Sequence, residues 1–365
     1  MNKDIMQMRP YFGQEEQEAL NQYMSEDGFL TEFKKTEIFE NMIKDFTGAK
    51  NCIVTNSGTI SLTMAALALD LKPGDEVIVP NYTMIATPNS MKFLGLVPVF
   101  VDVEPQTLCL EIQKVKSAIS TKTRAIILVS ANGRYPKTEI QKFKQLVDEN
   151  NLYFIEDAAQ SLGSFYPDGK HIGTVGEIGS FSFSTPKIIS TGQGGALVTN
   201  NDSIAEKIRK IKDFGRSSGG NDFHDTIGFN FKFTDLQAVI GIEQMKKLPS
   251  RMIRKKKIWE LFKEKLDGVK QIKLFDHNIE HTTPWFIDSI VEKRSGLVDF
   301  LTKNGINTRL MYPPINEQIA YNIPGIHPVS KSIGENGLWL PSMVQISDSQ
   351  IEFITDKIKT FYKTF

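Results

Sequence analysis

The feature that most constrains the fold is a repeated alternation of short apolar strands and helices between residues 51 and 155. The predicted strands cover 51–55, 77–80, 97–101, 124–129 and 152–155, and helices are predicted at 59–71, 84–94, 110–119 and 139–149. Strands that alternate with helices in this way form a mostly parallel sheet covered by helices. The sequence therefore predicts an α/β fold with three layers, in which a mostly parallel sheet lies between two layers of helices.

Two helices are predicted at 234–248 and 251–266, and the pattern then changes. Beyond them, short strands are predicted at 272–275, 285–291 and 307–311, with helices at 297–304 and 347–363. The last helix begins with a capping-box pattern, Ser347-x-x-Gln350. Because Pro249 falls near the change, we predict a large α/β domain over residues 1–249, N-terminal helices included, and a smaller α+β domain over residues 250–365.

Charge and composition exclude several classes of function. Lys+Arg and Asp+Glu are both 43 in 365 residues, so the net charge gives no support for binding nucleic acid. The dense basic run 251–257 is interpreted as the solvated face of a helix. No apolar stretch approaches the roughly 20 residues that span a membrane, and the N-terminus lacks the apolar run of a signal peptide. Two cysteines provide neither a disulfide framework nor a metal site, so we expect a reduced, cytoplasmic setting.

Polar clusters follow three of the predicted strands, where open α/β sheets bind their ligands. They are 57–59, 132–134 and 156–157. The first, Ser57-Gly58-Thr59, opens a helix, so free N–H groups and the helix dipole favour a phosphate there. Ser and Thr are also ordinary N-cap residues, which is the alternative. The chain has no G-x-G-x-x-G or G-x-x-x-x-G-K-[ST] loop, so the sequence contains no motif that would indicate a dinucleotide or ATP site.

The stretch 179–199 holds a single lysine, Lys187, between a strand-like segment and a glycine-rich turn. Ser and Phe alternate over 180–184, which places Phe181 and Phe183 on one face of a strand. Pro186 opposes regular structure beside the lysine. An amine presented on such a turn is typical of a lysine that forms a Schiff base, although a surface lysine in a glycine-rich loop remains open.

Asp157 ends an apolar strand, where a carboxylate is costly unless it meets a cation or several hydrogen bonds. It could cap a following helix, or pair with a buried, protonated ring nitrogen. The amine of Lys187, this carboxylate and a phosphate cup formed by 57–59 and Ser182 are together the parts of a pyridoxal 5′-phosphate site.

Seven motifs carry a resemblance to a known family. They are Asn56-Ser-Gly-Thr59, PGDEVIVP (73–80), PVFVDV (98–103), IEDAAQSLGS (155–164), FSFSTPKIISTGQGG (181–195), GFNFKFTDLQA (228–238) and Tyr312-Pro-Pro314. With them the sequence resembles, over nearly its whole length, the fold-type-I, pyridoxal-phosphate-dependent sugar aminotransferases of the DegT/DnrJ/EryC1/StrS type. That family makes amino sugars on nucleotide carriers.

The resemblance assigns roles to individual residues. It implies that Lys187 holds the cofactor as a Schiff base and that Asp157 pairs with the pyridine nitrogen. The other implied cofactor contacts are Gln160 near the phenolic oxygen, Gly58, Thr59 and Ser182 at the phosphate (with Ser57 beside them), Met84 at the ring and Asn230 at the phosphate of the other subunit. The last contact implies an obligate homodimer with shared active sites, although Asn230 could also simply bond its own backbone.

Three positions depart from the family's pattern. Met84 stands where an aromatic residue usually stacks on the cofactor ring; its thioether can pack there, Tyr82 could substitute, or Met84 could belong to the core. The usual His-Leu-Tyr-Gly segment is Ser130-Ala-Asn-Gly133, and the usual Gly-Glu-Gly-Gly is Gly192-Gln-Gly-Gly195.

The implied reaction is transfer of an amino group from L-glutamate to a nucleotide-linked keto sugar, for polysaccharide or O-antigen synthesis. The loop 191–195 resembles that of members acting at C4 of a 4-keto-6-deoxy sugar. The alternatives are C3 specificity, another ketone, sugar dehydration, which Lys187 in place of His disfavours, and a non-catalytic sugar-binding protein. The nucleotide stays open among dTDP, GDP and UDP. Candidates for lining its pocket are Arg216, His224, Arg309 and Tyr312.

Overall fold

A computed structural model describes residues 4–26, 28–218 and 221–364 of the chain. The strands are β1 (Asn51–Thr55), β2 (Glu76–Pro80), β3 (Val97–Val101), β4 (Thr123–Val129), β5 (Tyr153–Asp157), β6 (Ile178–Ser182), β7 (Gly195–Thr199), β8 (Ile272–Leu274), β9 (Ile287–Val291), β10 (Arg309–Leu310) and β11 (Gly337–Leu340). The helices are α1 (Gln14–Ser25), α2 (Lys34–Thr47), α3 (Gly58–Ala68), α4 (Ala86–Lys92), α5 (Ile112–Ala118), α6 (Ile140–Glu149), α7 (Asp202–Lys212), α8 (Asp235–Lys265), α9 (Arg294–Lys303), α10 (Pro328–Asn336) and α11 (Asp348–Thr364).

The large sheet is mostly parallel, as predicted. Within the described ranges it has seven strands in the order β1-β7-β6-β5-β4-β2-β3. Only β7 opposes its neighbours, since it pairs antiparallel with both β1 and β6. The carboxyl ends of β1, β5 and β6 therefore meet at one edge of the sheet, together with the start of β7.

Apolar cores cover both faces of this sheet. Along β4, Ile126 and Leu128 pack into a core with residues of α2, α6 and α8, whereas Ile127 and Val129 point to the other face, against α3 and α7. Such alternation follows from the pleat of a strand. The predicted three-layer α/β architecture is confirmed.

The smaller sheet is antiparallel and has the order β10-β11-β9-β8 in the described part of the chain. One of its faces packs on α9, α11 and the last turns of α8. The predicted capping box of α11 is present, because Ser347 N–H donates to Gln350 Oε1 at 3.0 Å and Gln350 N–H donates to Ser347 Oγ at 3.1 Å. The sequence did not predict α10 or β11.

The two helices predicted on either side of Pro249 are one continuous helix, α8, so that prediction was wrong. Its first part contributes Met245 and Leu248 to the core of the large sheet, and its last part contributes Ile258 and Phe262 to the core of the small one. Burial at both ends outweighs the local cost of a proline inside a helix. The division into domains at residue 249 stays a prediction. No helix in the described ranges, this one included, is long and apolar enough to cross a membrane.

The basic run 251–257 is not a fully solvated face, which corrects the prediction. Arg251 and Lys255 are only 4% and 6% exposed, whereas Ile253 is 72% exposed. Residues four apart share one face of a helix, and this face turns inward. There the Arg251 guanidinium donates to the carbonyl of Ile188 at 2.8 Å, and Lys255 Nζ donates to the carbonyl of Ser342 at 2.6 Å.

Candidate active site

Two glycines allow the backbone to close tightly at the sheet edge where β1, β6 and β7 meet. A Cβ placed on Gly58 would lie 2.8 Å from Cβ of Ser182, and one on Gly195 would lie 2.6 Å from the carbonyl carbon of Ser57. Neither distance leaves room for a side chain. The glycines thus bring the start of α3 and the end of β6 into direct contact, and the predicted phosphate residues 57–59 and Ser182 lie together.

The donors at this edge fit a phosphate group. Ser57 caps α3, since its Oγ accepts from Ile60 N–H at 3.2 Å. The N–H groups of Gly58 and Thr59 have no intrahelical acceptor because the helix begins with them. The hydroxyl of Ser182 makes two long contacts with Ser184, in which it donates to Oγ and accepts from N–H, each at 3.4 Å. A hydroxyl can accept and donate at once, so the observed cap is compatible with the predicted phosphate contact of Ser57.

Asp157 is a buried carboxylate at the end of β5, 6% exposed. Thr87 Oγ1 donates to one of its oxygens at 2.7 Å, and Ala159 N–H donates to the other at 3.1 Å. Burial raises the pKa of Asp157, while these two donors and the positive charge of Lys187 act in the opposite direction. A turn follows rather than a helix, so the helix-cap interpretation is wrong.

Lys187 lies on a turn after β6 and is partly buried. Its Nζ sits 4.3 Å from the ring centroid of Trp285, and Trp285 Nε1 donates to the carbonyl of Pro186 at 2.7 Å. Burial lowers the pKa of Lys187 to about 8; Asp157 opposes that shift and Arg309 adds to it. The amine is therefore not an ordinary surface lysine.

The predicted ring contacts occupy different environments. Gln160 Oε1 accepts from Asn132 N–H at 2.6 Å, which ties it to the loop after β4. Met84 is 43% exposed, so it is not a core residue. Tyr82 is buried, with its ring centroid 5.9 Å from that of Tyr312. Of the two candidates for stacking on the ring, Met84 is the one that remains accessible.

Asn230 and two of the pocket candidates have their contacts within segment 213–232. Asn230 is exposed, and its Oδ1 accepts from Lys232 N–H at 3.4 Å. Arg216 pairs with Asp213 at 3.0 Å and with Asp222 at 3.1 Å, and His224 contacts the carbonyl of Phe214 at 3.0 Å. These contacts do not connect the three residues to the cluster around Lys187 within one chain.

Comparison with known proteins agrees with this geometry. The sequence model of the DegT/DnrJ/EryC1/StrS aminotransferase family matches residues 10–359. The chain belongs to that family. Members of the DegT/DnrJ/EryC1/StrS family depend on pyridoxal 5′-phosphate, so the protein is a pyridoxal-phosphate-dependent sugar aminotransferase.

Individual members of the DegT/DnrJ/EryC1/StrS family align over almost the full length. The chain is 30% identical to GDP-perosamine synthase of Escherichia coli O157:H7, over 99% of both chains. It is 32% identical to GDP-perosamine synthase of Vibrio cholerae, over 95% of this chain and 96% of that one. The sugar aminotransferase Spr1654 of Streptococcus pneumoniae, solved in a PMP form and a PLP form, superposes with a TM-score of 0.92 at 24% identity; the PMP form is covered to 98% and this chain to 99%.

Two residues of the site were not predicted from the sequence. Trp285 is separated from Lys187 by 98 positions, and Thr87 from Asp157 by 70. Neither belongs to a motif or a period that links it to its partner. Only the folded chain brings each pair together.

Replacing Thr87 by Val is expected to weaken cofactor binding by about 10- to 100-fold, because it removes a hydrogen bond to a buried carboxylate. Thr83 Oγ1 lies 3.0 Å from Thr87 Oγ1 and can donate to it in turn. Titration of the apoenzyme with pyridoxal 5′-phosphate measures the effect. Thr87→Ser should restore most of the affinity. Thr355→Val, which removes a buried hydroxyl bonded to a carbonyl of its own helix, is the control; equal losses in the two valine variants would contradict the prediction.

Proposed function

We propose that this enzyme transfers the amino group of L-glutamate to a nucleotide-linked 4-keto-6-deoxy sugar and forms a 4-amino-4,6-dideoxy sugar. The observation that carries the proposal is the partly buried Lys187, with a pKa of about 8, within the electrostatic influence of the buried Asp157. Similarity to GDP-perosamine synthases supports the sugar, since perosamine is a 4-amino-4,6-dideoxy sugar. The same names favour GDP as the nucleotide.

When bound, pyridoxal 5′-phosphate supplies a protonated ring that takes up electrons from the carbon being deprotonated. Asp157 would hold the proton on the ring nitrogen, because a carboxylate beside that N–H favours its charged form. Residues 57–59 and Ser182 would bind the phosphate. Gln160 would lie near the phenolic oxygen, and Met84 would pack on the ring.

Lys187 would move the proton in both halves of the reaction. In one half its neutral amine removes the proton from the α-carbon of glutamate, and in the other the reverse transfer delivers a proton to C4 of the sugar. General acid–base catalysis is most effective when the pKa lies near the working pH. A pKa of about 8 provides substantial amounts of both forms of Lys187.

We also propose that a second copy of the chain completes the site. Beside Asn230 the chain exposes large apolar side chains: Phe223 is 77% exposed, Ile227 81% and Phe229 46%. Patches of this kind mark interaction surfaces, and a partner there would carry Asn230 towards the phosphate of the other subunit. Sedimentation is expected to give about twice the 41.2 kDa of one chain; a fully active monomer would contradict this.

The reaction itself is tested by product analysis. The holoenzyme is incubated with L-glutamate and, separately, with the GDP-, dTDP- and UDP-linked 4-keto-6-deoxy sugars, and the position of the new amine is read by NMR. We expect 2-oxoglutarate and a C4 amine, with the GDP sugar preferred. An amine at C3, or no amino sugar from any of the three, would refute the assignment.

A further inference from the structure

Arg309 is a cation that packs against two aromatic rings. It lies on β10, is exposed, and its guanidinium sits 5.3 Å from the ring centroid of Trp339 and 5.9 Å from that of Tyr312. Among the residues that the structure describes, no carboxylate lies within ion-pair distance of it. Two aromatic faces therefore hold the guanidinium in place through cation–π contacts, while its N–H donors are left for another group.

The aromatic side chains connect Arg309 to the catalytic lysine. The ring centroids of Trp339 and Trp285 are 6.0 Å apart, and Lys187 Nζ lies 4.3 Å from the centroid of Trp285. The guanidinium and the amine thus border the same wall of indole rings. They are also close enough to interact, since the charge of Arg309 adds to burial in lowering the pKa of Lys187.

A guanidinium that borders the same aromatic wall as Lys187 and has no carboxylate within ion-pair distance in the described part of the chain calls for a negatively charged ligand. A planar guanidinium binds a carboxylate through two parallel hydrogen bonds. In an amino acid the carboxylate is bonded directly to the α-carbon, the atom that Lys187 would deprotonate. In a nucleotide sugar the diphosphate is attached at C1, on the opposite side of the ring from C4. The position of Arg309 on the same aromatic wall as Lys187 therefore fits the amino donor better than the sugar nucleotide.

We propose that Arg309 binds the α-carboxylate of the amino donor. The assignment rests on the aminotransferase function proposed above, but not on which keto sugar accepts the nitrogen. Arg309 would orient the α-carbon towards Lys187 and would offset the negative charge of the donor within the site. Because every L-amino acid has an α-carboxylate, the role is independent of the identity of the donor.

The two half-reactions test this role separately. In the first, the pyridoxal form is mixed with L-glutamate, L-glutamine or L-aspartate in a stopped-flow instrument, and its absorbance change gives kcat/KM. We expect Arg309→Gln to lower this value by about 10- to 100-fold for each reactive donor, because a charge-assisted hydrogen bond is lost. Arg309→Lys should recover part of it. The slow reaction with benzylamine, which has no carboxylate, should change far less, because only the effect of Arg309 on the pKa of Lys187 remains.

In the second half-reaction, the pyridoxamine form is mixed with the nucleotide keto sugar, and Arg309→Gln should lower the rate no more than it does with benzylamine. Arg124→Gln removes another exposed guanidinium at the start of β4 and should leave both half-reactions intact. Loss confined to the nucleotide sugar would show that Arg309 serves the diphosphate, and equal rates with amino acids in variant and wild type would exclude any role; either result overturns the proposal. A wild type that reacts with amino acids but with no keto sugar would refute the proposed sugar function and not this inference.

Discussion

Replacing Lys187 by Ala is expected to abolish amino transfer, with kcat reduced by at least about 10⁴-fold. The variant loses both the covalent attachment of the cofactor and the proton carrier, and a general base alone contributes about 10²- to 10⁴-fold. The purified wild type should be yellow, and borohydride reduction should fix the cofactor to Lys187 in a tryptic peptide identified by mass spectrometry. The variant should release its cofactor on dialysis.

Lys255 provides the matched control for this experiment. It is also buried, and burial lowers its pKa to about 7, yet its Nζ donates to the carbonyl of Ser342. Lys255→Met should keep the colour and the label at Lys187. In the wild type, cofactor uptake by the apoenzyme should accelerate as the pH rises towards about 8, because only the neutral Lys187 amine is nucleophilic. Label on Lys255, or turnover that survives in Lys187→Ala, would disprove the assignment.

Asp157→Asn is expected to lower kcat by about 10²- to 10³-fold and to weaken retention of the cofactor. Asparagine keeps the shape but carries no charge, so a protonated ring nitrogen would lose its partner; breaking a buried ion pair costs about 3–5 kcal/mol. The ring nitrogen should then lose its proton at a lower pH. The absorbance of the bound cofactor, followed against pH, measures that shift directly.

The adjacent Glu156 separates this effect from general destabilisation. Glu156 is equally buried, but it accepts hydrogen bonds from Tyr166 and from the N–H groups of Gly173, Val175 and Gly176. We expect Glu156→Gln to lower the melting temperature without moving the pH titration of the bound cofactor. A normal titration in Asp157→Asn would mean that Asp157 does not contact the ring.

The large sheet could be predicted because short stretches of the sequence specify most of its strands and the helices between them. Each strand of the run from β1 to β4 is a short apolar segment followed by its own helix, and that pattern is visible within a few residues. The reversal of β7 was not predicted, because the direction of a strand depends on its neighbours, and β7 pairs with β1 across 140 to 148 positions. The continuity of α8 was missed for a similar reason: Pro249 is a local break signal, and burial at both ends of the helix overrides it.

The site was predicted as a set of residues rather than as an arrangement. Lys187, Asp157 and the turn at 57–59 each follow a strand, and a parallel sheet brings such ends together. The sequence did not indicate which side chains position Asp157 and Lys187. Thr87 reaches Asp157 from another segment, and Trp285 reaches Lys187 from a segment that follows α8 in the chain. Such contacts depend on tertiary packing, and no periodic pattern in the sequence predicts them.

The proline inside α8 has a mechanical consequence. Pro249 cannot donate a hydrogen bond to the carbonyl of Met245. Helix α8, which packs against both sheets, therefore bends most easily at that point. Trp285 and Arg309 lie beyond it in the chain, whereas Lys187 lies before it. A few degrees of flexure at this joint would move Arg309 towards or away from the amine, whereas Trp285, which is hydrogen-bonded to the carbonyl of Pro186, would resist the motion.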